Sequence, residues 1–168
     1  MKATYISHMG TDDLVVDAAR VSFDKLSTNY TPDQNEKLLK YLASHNHWTP
    51  FSHPQITVME TVPIFVARQR FKHMVGFTYN EVSRRYVDDT PEFYVPKEWR
   101  NRPDGSVKQG SAGVHYQSGS IKIEYDTIIE MALEDYNELI RCGVAPEQAR
   151  MILPQSMLTS YYVTGSLS

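Results

Sequence analysis

The stretch Phe65–Tyr86, FVARQRFKHMVGFTYNEVSRRY, decides how the rest of the chain is read. It gathers five cations, Arg68, Arg70, Lys72, Arg84 and Arg85, with Gln69 and His73 beside them, around a polar turn holding Asn80, Glu81 and Ser83. The whole chain of 168 residues carries a formal net charge of −3, so the concentration is local and points to a bound anion. Pro63 and Gly76 frame a helix from about Ile64 to Val75. On that helix Arg68 and Lys72 share one face, and Gln69 and His73 form the adjacent row. Neighbouring cations repel unless an anion lies over them, and guanidinium donors match phosphate oxygens in pairs. The plainer reading is a solvated amphipathic face with Phe65, Val66 and Phe71 turned inward. The segment Asn80–Arg85 likewise reads two ways. Its amide, carboxylate, hydroxyl and guanidinium groups suit a base, a ribose and a phosphate, while Asn80 or Ser83 also makes an ordinary helix cap.

Working outward, Gln55–Val62 (QITVMETV) reads as a strand after the breaks at Pro50 and Pro54. Residues 2–7 (KATYIS) read as a first strand. A helix capped by Asp12 or Asp13 runs to about Phe23, with Leu14, Val15, Ala18, Ala19 and Val21 on its apolar face. Thr31-Pro32-Asp33-Gln34 is a capping-box start for a helix to about Ser44 that buries Leu38, Leu39, Tyr41 and Leu42. Residues 87–117 are rich in Asp, Pro, Gly and Ser and form a long irregular excursion. A long helix from about Ser120 to Arg141 follows, with Ile121, Tyr125, Ile128, Ile129, Ala132, Tyr136, Leu139 and Ile140 on its buried side. A short helix opened by Pro146 reaches Ile152, and residues 156–165 form a last strand.

Two further segments carry chemistry. His45-Asn46-His47-Trp48-Thr49-Pro50-Phe51-Ser52-His53 offers histidines and aromatics suited to metal ligation or to stacking on a flat ligand. Metal is the weaker idea, because the spacing beside a proline does not put three ring nitrogens on one regular face, and no metal site is expected. Gly143–Pro154 contains Arg150 near a helix end, which taken alone is ordinary helix electrostatics.

Length and composition set the bounds. At 19.3 kDa, with 41% hydrophobic and 22% charged residues, the chain suits one globular domain. A pI near 6.1 argues against general nucleic-acid or acidic-membrane binding. Cys142 is the single cysteine, which precludes an internal disulfide and fits a reducing cytoplasm. No apolar run has a membrane-spanning length, and MKATYISHMGTDDL lacks the apolar segment of a signal peptide.

In their order along the chain these segments resemble the flavin-dependent thymidylate synthases. That family is marked by His-x-[Ser/Thr]-Pro-Phe, then Arg-Gln with an Arg-His-Arg triplet, then Asn-Glu-x-Ser-x-Arg-Tyr, and late Glu-Gln-Ala-Arg. The counterparts are His47-Trp48-Thr49-Pro50-Phe51, Arg68-Gln69, Lys72-His73-Met74, Asn80-Glu81-Val82-Ser83-Arg84-Arg85-Tyr86 and Glu147-Gln148-Ala149-Arg150. The resemblance implies an α+β fold: a single domain over 1–168 with a mostly antiparallel sheet packed by helices, assembling as a homotetramer with shared sites. It implies conversion of dUMP to dTMP, with methylenetetrahydrofolate as one-carbon donor, NADPH as reductant and FAD as hydride carrier. It further implies that Gln69, Arg70, Phe71, Lys72, Glu81, Val82, Ser83, Arg84, Arg85 and Arg150 surround dUMP. FAD would be met by His47, Thr49, Lys72, His73, Met74 and Glu81. Ser83 is expected to hold the nucleotide and not to attack it.

The chain also departs from the pattern. Lys72-His73-Met74 stands for Arg-His-Arg, the run Val75–Tyr79 is one residue longer than usual before Ser83, and Ser52 takes an acidic position. The family's FAD asparagine and its dUMP-activating arginine are expected beyond Ser168, so no catalytic residue is assigned within the chain. Two other readings follow: a nucleotide- or flavin-binding homologue with impaired turnover, and an RNA-binding domain built on the Arg/Lys cluster. The acidic overall balance and the lack of an aromatic-basic repeat count against the last.

Overall fold

A computed structural model describes residues 1–86, 89–105 and 110–168. In chain order its elements are β1 (Lys2–Met9), α1 (Asp12–Arg20), α2 (Pro32–Ser44), β2 (Gln55–Pro63), α3 (Ile64–Arg70), β3 (Phe77–Glu81), α4 (Ser118–Arg141), α5 (Pro146–Ala149) and β4 (Leu158–Ser166). Short 3-10 turns follow α1 and α5, and others lie at Ser27–Asn29 and Thr49–Ser52. The chain forms two compact units, Met1–Thr61 with Gln69–Glu81 and Ser160–Ser168, and Val62–Arg68 with Val82–Thr159.

The first unit is built on a four-stranded sheet of order β1-β2-β4-β3. β1 pairs antiparallel with β2, Lys2 opposite Thr61 and Met9 opposite Gln55, and β3 pairs antiparallel with β4, Phe77 opposite Gly165 and Glu81 opposite Tyr161. Between β2 and β4 the hydroxyls of Thr57 and Thr164 meet at 2.9 Å and those of Thr61 and Ser160 at 2.8 Å. The numbers rise on one strand as they fall on the other, so this pair is antiparallel too. β4 alternates as a half-buried strand must: Tyr161, Val163 and Gly165 are buried, with the residues between them more open. Helices α1 and α2 supply Val15, Val16 and Leu42 to the core of this unit. The Thr31 cap is in place: Thr31 Oγ1 accepts from the Gln34 N–H, and Gln34 Oε1 accepts from the Thr31 N–H at 3.0 Å. Such a cap contributes about 1 kcal/mol.

The second unit centres on α4 and α5, with Val62, Ala67, Tyr136, Ala149 and Met157 buried. Between Val82 and Gln117 the described residues form only isolated bridges, Phe93 with Met157 and Arg100 with Val114. Tyr125 Oη donates to the Tyr94 carbonyl at 2.7 Å, and its ring meets Trp99 edge-on at 5.3 Å, so α4 anchors that excursion. None of the helices among the described residues is long and apolar enough to cross a membrane.

Several local expectations need correction. α3 stops at Arg70, not near Val75, because the chain must turn back into β3, a strand whose last residues, Asn80 and Glu81, the sequence places in a polar turn. Gly76, at φ +75°, supplies the left-handed residue that this reversal needs. Lys72 and His73 therefore lie in the turn, and the shared helix face with Arg68 and Gln69 does not form. On α4 only Tyr136 is buried, while Ile128 is 59% exposed and Ile140 38%. Val21 and Tyr41 are likewise exposed. In each case the apolar stripe is wider than the face its own unit packs.

Candidate functional site

In the first unit the chemistry gathers at the turn between α3 and β3. The backbone is fixed by three bonds: Lys72 N–H to the Gln69 carbonyl (3.3 Å), His73 N–H to the Arg70 carbonyl (3.1 Å) and Phe77 N–H to the Met74 carbonyl (3.2 Å). From β3, Tyr79 Oη lies 2.8 Å from the His73 carbonyl and 3.3 Å from the Arg70 carbonyl, a donor shared between the two. Arg70 turns inward. Its Nε donates to Glu60 Oε1 at 3.4 Å, its Nη1 reaches Tyr79 Oη at 3.5 Å, and its guanidinium lies 4.9 Å from the Phe77 ring centre. Glu60 Oε2 in turn accepts from Tyr161 Oη at 2.5 Å. Burial, reinforced by the hydrogen bond and charge of Glu60, pushes the Tyr161 phenol well above its ordinary range.

Aromatic rings enclose this polar group. Phe71 meets Tyr79 at 4.9 Å and Tyr161 at 4.7 Å, both edge-on. Such pairs contribute about 0.5–1.5 kcal/mol each beyond their buried area. With Arg70 and Phe71 occupied below it, the turn presents Lys72, His73 and Met74, all exposed.

In the second unit, Ser83 is the acceptor for its neighbour: Arg85 donates to Ser83 Oγ from its backbone N–H (3.4 Å) and from Nε (3.2 Å). The Tyr86 N–H closes the turn onto the Ser83 carbonyl at 3.0 Å, and the Arg85 guanidinium lies 5.2 Å from the Tyr86 ring centre. Arg84 donates through Nη1 to the Asp89 carbonyl. Arg150 opens the 3-10 turn after α5 and is exposed, with no side-chain partner among the described residues. Val82 is 51% exposed.

His47 and Thr49 lie in the first unit, where α2 gives way to the 3-10 turn at Thr49–Ser52. The His47 N–H is held by the Leu42 carbonyl at 2.9 Å, and its ring is exposed. Beside it opens a mainly apolar cavity of about 210 Å³ lined by Leu42, Asn46, His47, Trp48, Phe51 and Leu167. No group of three or more His, Cys, Asp or Glu residues among the described residues is arranged to hold a metal ion.

The sequence reading missed Glu60, Tyr79 and Tyr161. A signal for Glu60 was present: at period two it shares a face with Ile56, Val58 and Val62, an acid set on an apolar row. Tyr79 was hidden by reading Asn80 and Glu81 as a turn.

The donor types, taken residue by residue, suit the phosphates of the flavin that the resemblance implies. Lys72, His73 and Thr49 are exposed, their side-chain polar atoms engage no other described residue, and an ammonium, an imidazole and a hydroxyl all suit phosphate oxygens.

The family model described as thymidylate synthase complementing protein matches residues 4–168. The flavin-dependent thymidylate synthase of Thermosipho africanus is 38% identical over 163 residues, 95% of this chain and 69% of that protein. The enzyme of the same name from Kosmotoga olearia is 40% identical over 159 residues, 93% of this chain and 67% of that protein. Among solved structures, the UMP/dUMP methylase PolB from Streptomyces cacaoi bound with 5-Br dUMP superposes with a TM-score of 0.83 at 29% identity, covering 98% of this chain and 73% of that one. The α+β fold with its antiparallel sheet, expected from the motifs, is shared with that structure. The chain is thus a methyltransferase-type enzyme, and it belongs to the thymidylate synthase complementing protein family, the flavin-dependent thymidylate synthases.

Proposed function

We propose that this chain converts dUMP to dTMP by reductive methylation, with 5,10-methylenetetrahydrofolate as one-carbon donor, NADPH as reductant and FAD as cofactor. It acts as a cytoplasmic homotetramer whose sites are shared between subunits. FAD, when bound, supplies the hydride chemistry. The protein's own groups bind, orient and balance charge.

Lys72 and His73 hold phosphate oxygens from the α3–β3 turn, with Met74, Glu81, His47 and Thr49 completing the FAD contacts. Gln69, Lys72, Glu81, Val82, Ser83, Arg84, Arg85 and Arg150 serve dUMP. Arg70 and Phe71 act from beneath the turn. Arginine donors near the pyrimidine stabilise negative charge that develops on the ring during transfer. The observation that carries this reading is the state of Ser83: with its oxygen accepting twice from Arg85, its O–H is left to donate, and phosphate accepts only. Exposed Ile123, Ile128 and Met131 on α4 support an assembly larger than one chain.

The test is tritium release from C5-labelled dUMP with FAD, NADPH and the folate present. Release that requires all three supports the reading. Protein that binds both FAD and dUMP without release favours a binding homologue. Protein that stays free of flavin absorbance after FAD is added overturns both.

A further inference from the structure

The α3–β3 turn has no regular secondary structure of its own, yet it carries Lys72 and His73. What holds it is a group of four polar side chains in the same unit. Tyr79 Oη spans the turn's inner carbonyls, those of Arg70 and His73. Arg70 braces Tyr79 through Nη1 and lies against the Phe77 ring. Glu60 anchors Arg70, and Tyr161 fixes the second carboxylate oxygen of Glu60. The Glu60 side chain is 17% exposed and that of Arg70 30%. A carboxylate so nearly buried needs its partners, so its geometry is tightly specified.

We propose that Tyr79, acting directly on the turn's carbonyls, and Glu60 and Tyr161, acting through Arg70, are positioning residues that hold the turn 71–76 so that Lys72 and His73 meet the anionic group of FAD. The inference rests on the functional reading above. None of the three touches the ligand. Each acts by removing freedom from the backbone that carries the ligands, and preorganised donors bind an anion more tightly because ordering is not charged to binding. Arg70, though a cation within the motif, is on this account a strut and not a phosphate ligand.

The test is FAD titration of the full chain, followed by flavin fluorescence. Glu60→Gln keeps the size and the acceptor for Tyr161 but removes the charge that holds Arg70. Tyr79→Phe keeps the ring and removes the hydroxyl. Each is expected to raise the FAD Kd at least fivefold. Lys72→Gln combined with His73→Ala also weakens binding, and in that background Glu60→Gln and Tyr79→Phe are expected to add less than twofold, since both groups they position are gone. A merely destabilised fold would multiply the losses instead. Should Glu60→Gln fail to fold, the Tyr79→Phe pair decides alone. Wild-type protein that binds FAD while the Kd is unchanged in these variants, or changes fivefold in both backgrounds, overturns the positioning role only. Wild-type protein that binds no FAD overturns the functional reading and this inference together.

Discussion

Ser83 and Arg85 form a closed pair: one serine oxygen accepts both the backbone N–H and the Nε–H of the arginine two residues on. A hydroxyl oxygen has two acceptor positions, so both are taken and only the O–H remains for a ligand. The same arrangement disfavours Ser83 as a nucleophile, because its lone pairs are committed to hydrogen bonds. It also turns the Arg85 side chain through a fixed arc, since Nε is tied while Nη1 and Nη2 stay available for bidentate contact.

Ser83→Ala is therefore expected to weaken dUMP binding by about 10- to 100-fold, the equivalent of one hydrogen bond to a charged group at about 1.5–3 kcal/mol. FAD affinity should stay within about twofold. Isothermal titration with each ligand separately checks this. Equal losses for both ligands would mean that the variant has disturbed the fold and not the substrate contact.

Tyr161 sets a pH dependence. Its phenol is raised above the ordinary value of 10.0, first by burial and then by its hydrogen bond to Glu60. A group whose folded pKa is raised stabilises the fold fully below its unfolded pKa, and that stabilisation is lost as pH rises through the folded value. Wild type should thus lose stability above about pH 10, while Tyr161→Phe, less stable at neutral pH, should show a flatter decline. Urea midpoints from pH 8 to 11 give the comparison. Parallel curves would show that the phenol titrates alike in both states.

The exposed row on α4 has a separate consequence. Ile123 is 70% exposed, and Ile128 and Met131 are each 59% exposed, on a helix that already buries Tyr136. Burying one such side chain in an interface contributes about 1.5–3 kcal/mol. Ile128→Asp combined with Met131→Asp should lower the solution mass measured by light scattering while the circular dichroism of the helix is kept. An unchanged oligomer would place the subunit contact elsewhere.

How much of this was legible beforehand differs by segment. The α2 start at Thr31 was readable because capping is local chemistry, and Gln34 sits where the box demands it. The motif residues were readable for the same reason, as residue types at short spacings. The end of α3 was not, because it depends on β3 pairing with β4, residues some eighty positions later in the chain. Nor was the inward turn of Arg70. The sequence shows one more cation among five, and only the register of β2 against β4 brings Glu60 beside Tyr161 to claim it. The apolar face of α4 was over-read because periodicity reports hydrophobic positions without saying which chain covers them.

Phe77 and Gly165 stand opposite each other on β3 and β4, and the Phe77 ring fills the space a side chain on residue 165 would take. A Cβ on Gly165 would lie 2.4 Å from Phe77 Cε1 and 2.5 Å from Cδ1. Gly165→Ala must therefore push the ring aside, an overpacking cost of about 1–3 kcal/mol readable as a lower urea midpoint. The displaced ring is the one that Arg70 lies against, at 4.9 Å, so the strain passes to the Glu60–Arg70 pair under the turn. Trimming the ring should relieve it: Gly165→Ala combined with Phe77→Leu is expected to be more stable than the sum of the two single losses, with a coupling of about 1 kcal/mol. Strict additivity would mean that the ring swings freely into solvent and that Phe77 gives Arg70 no support.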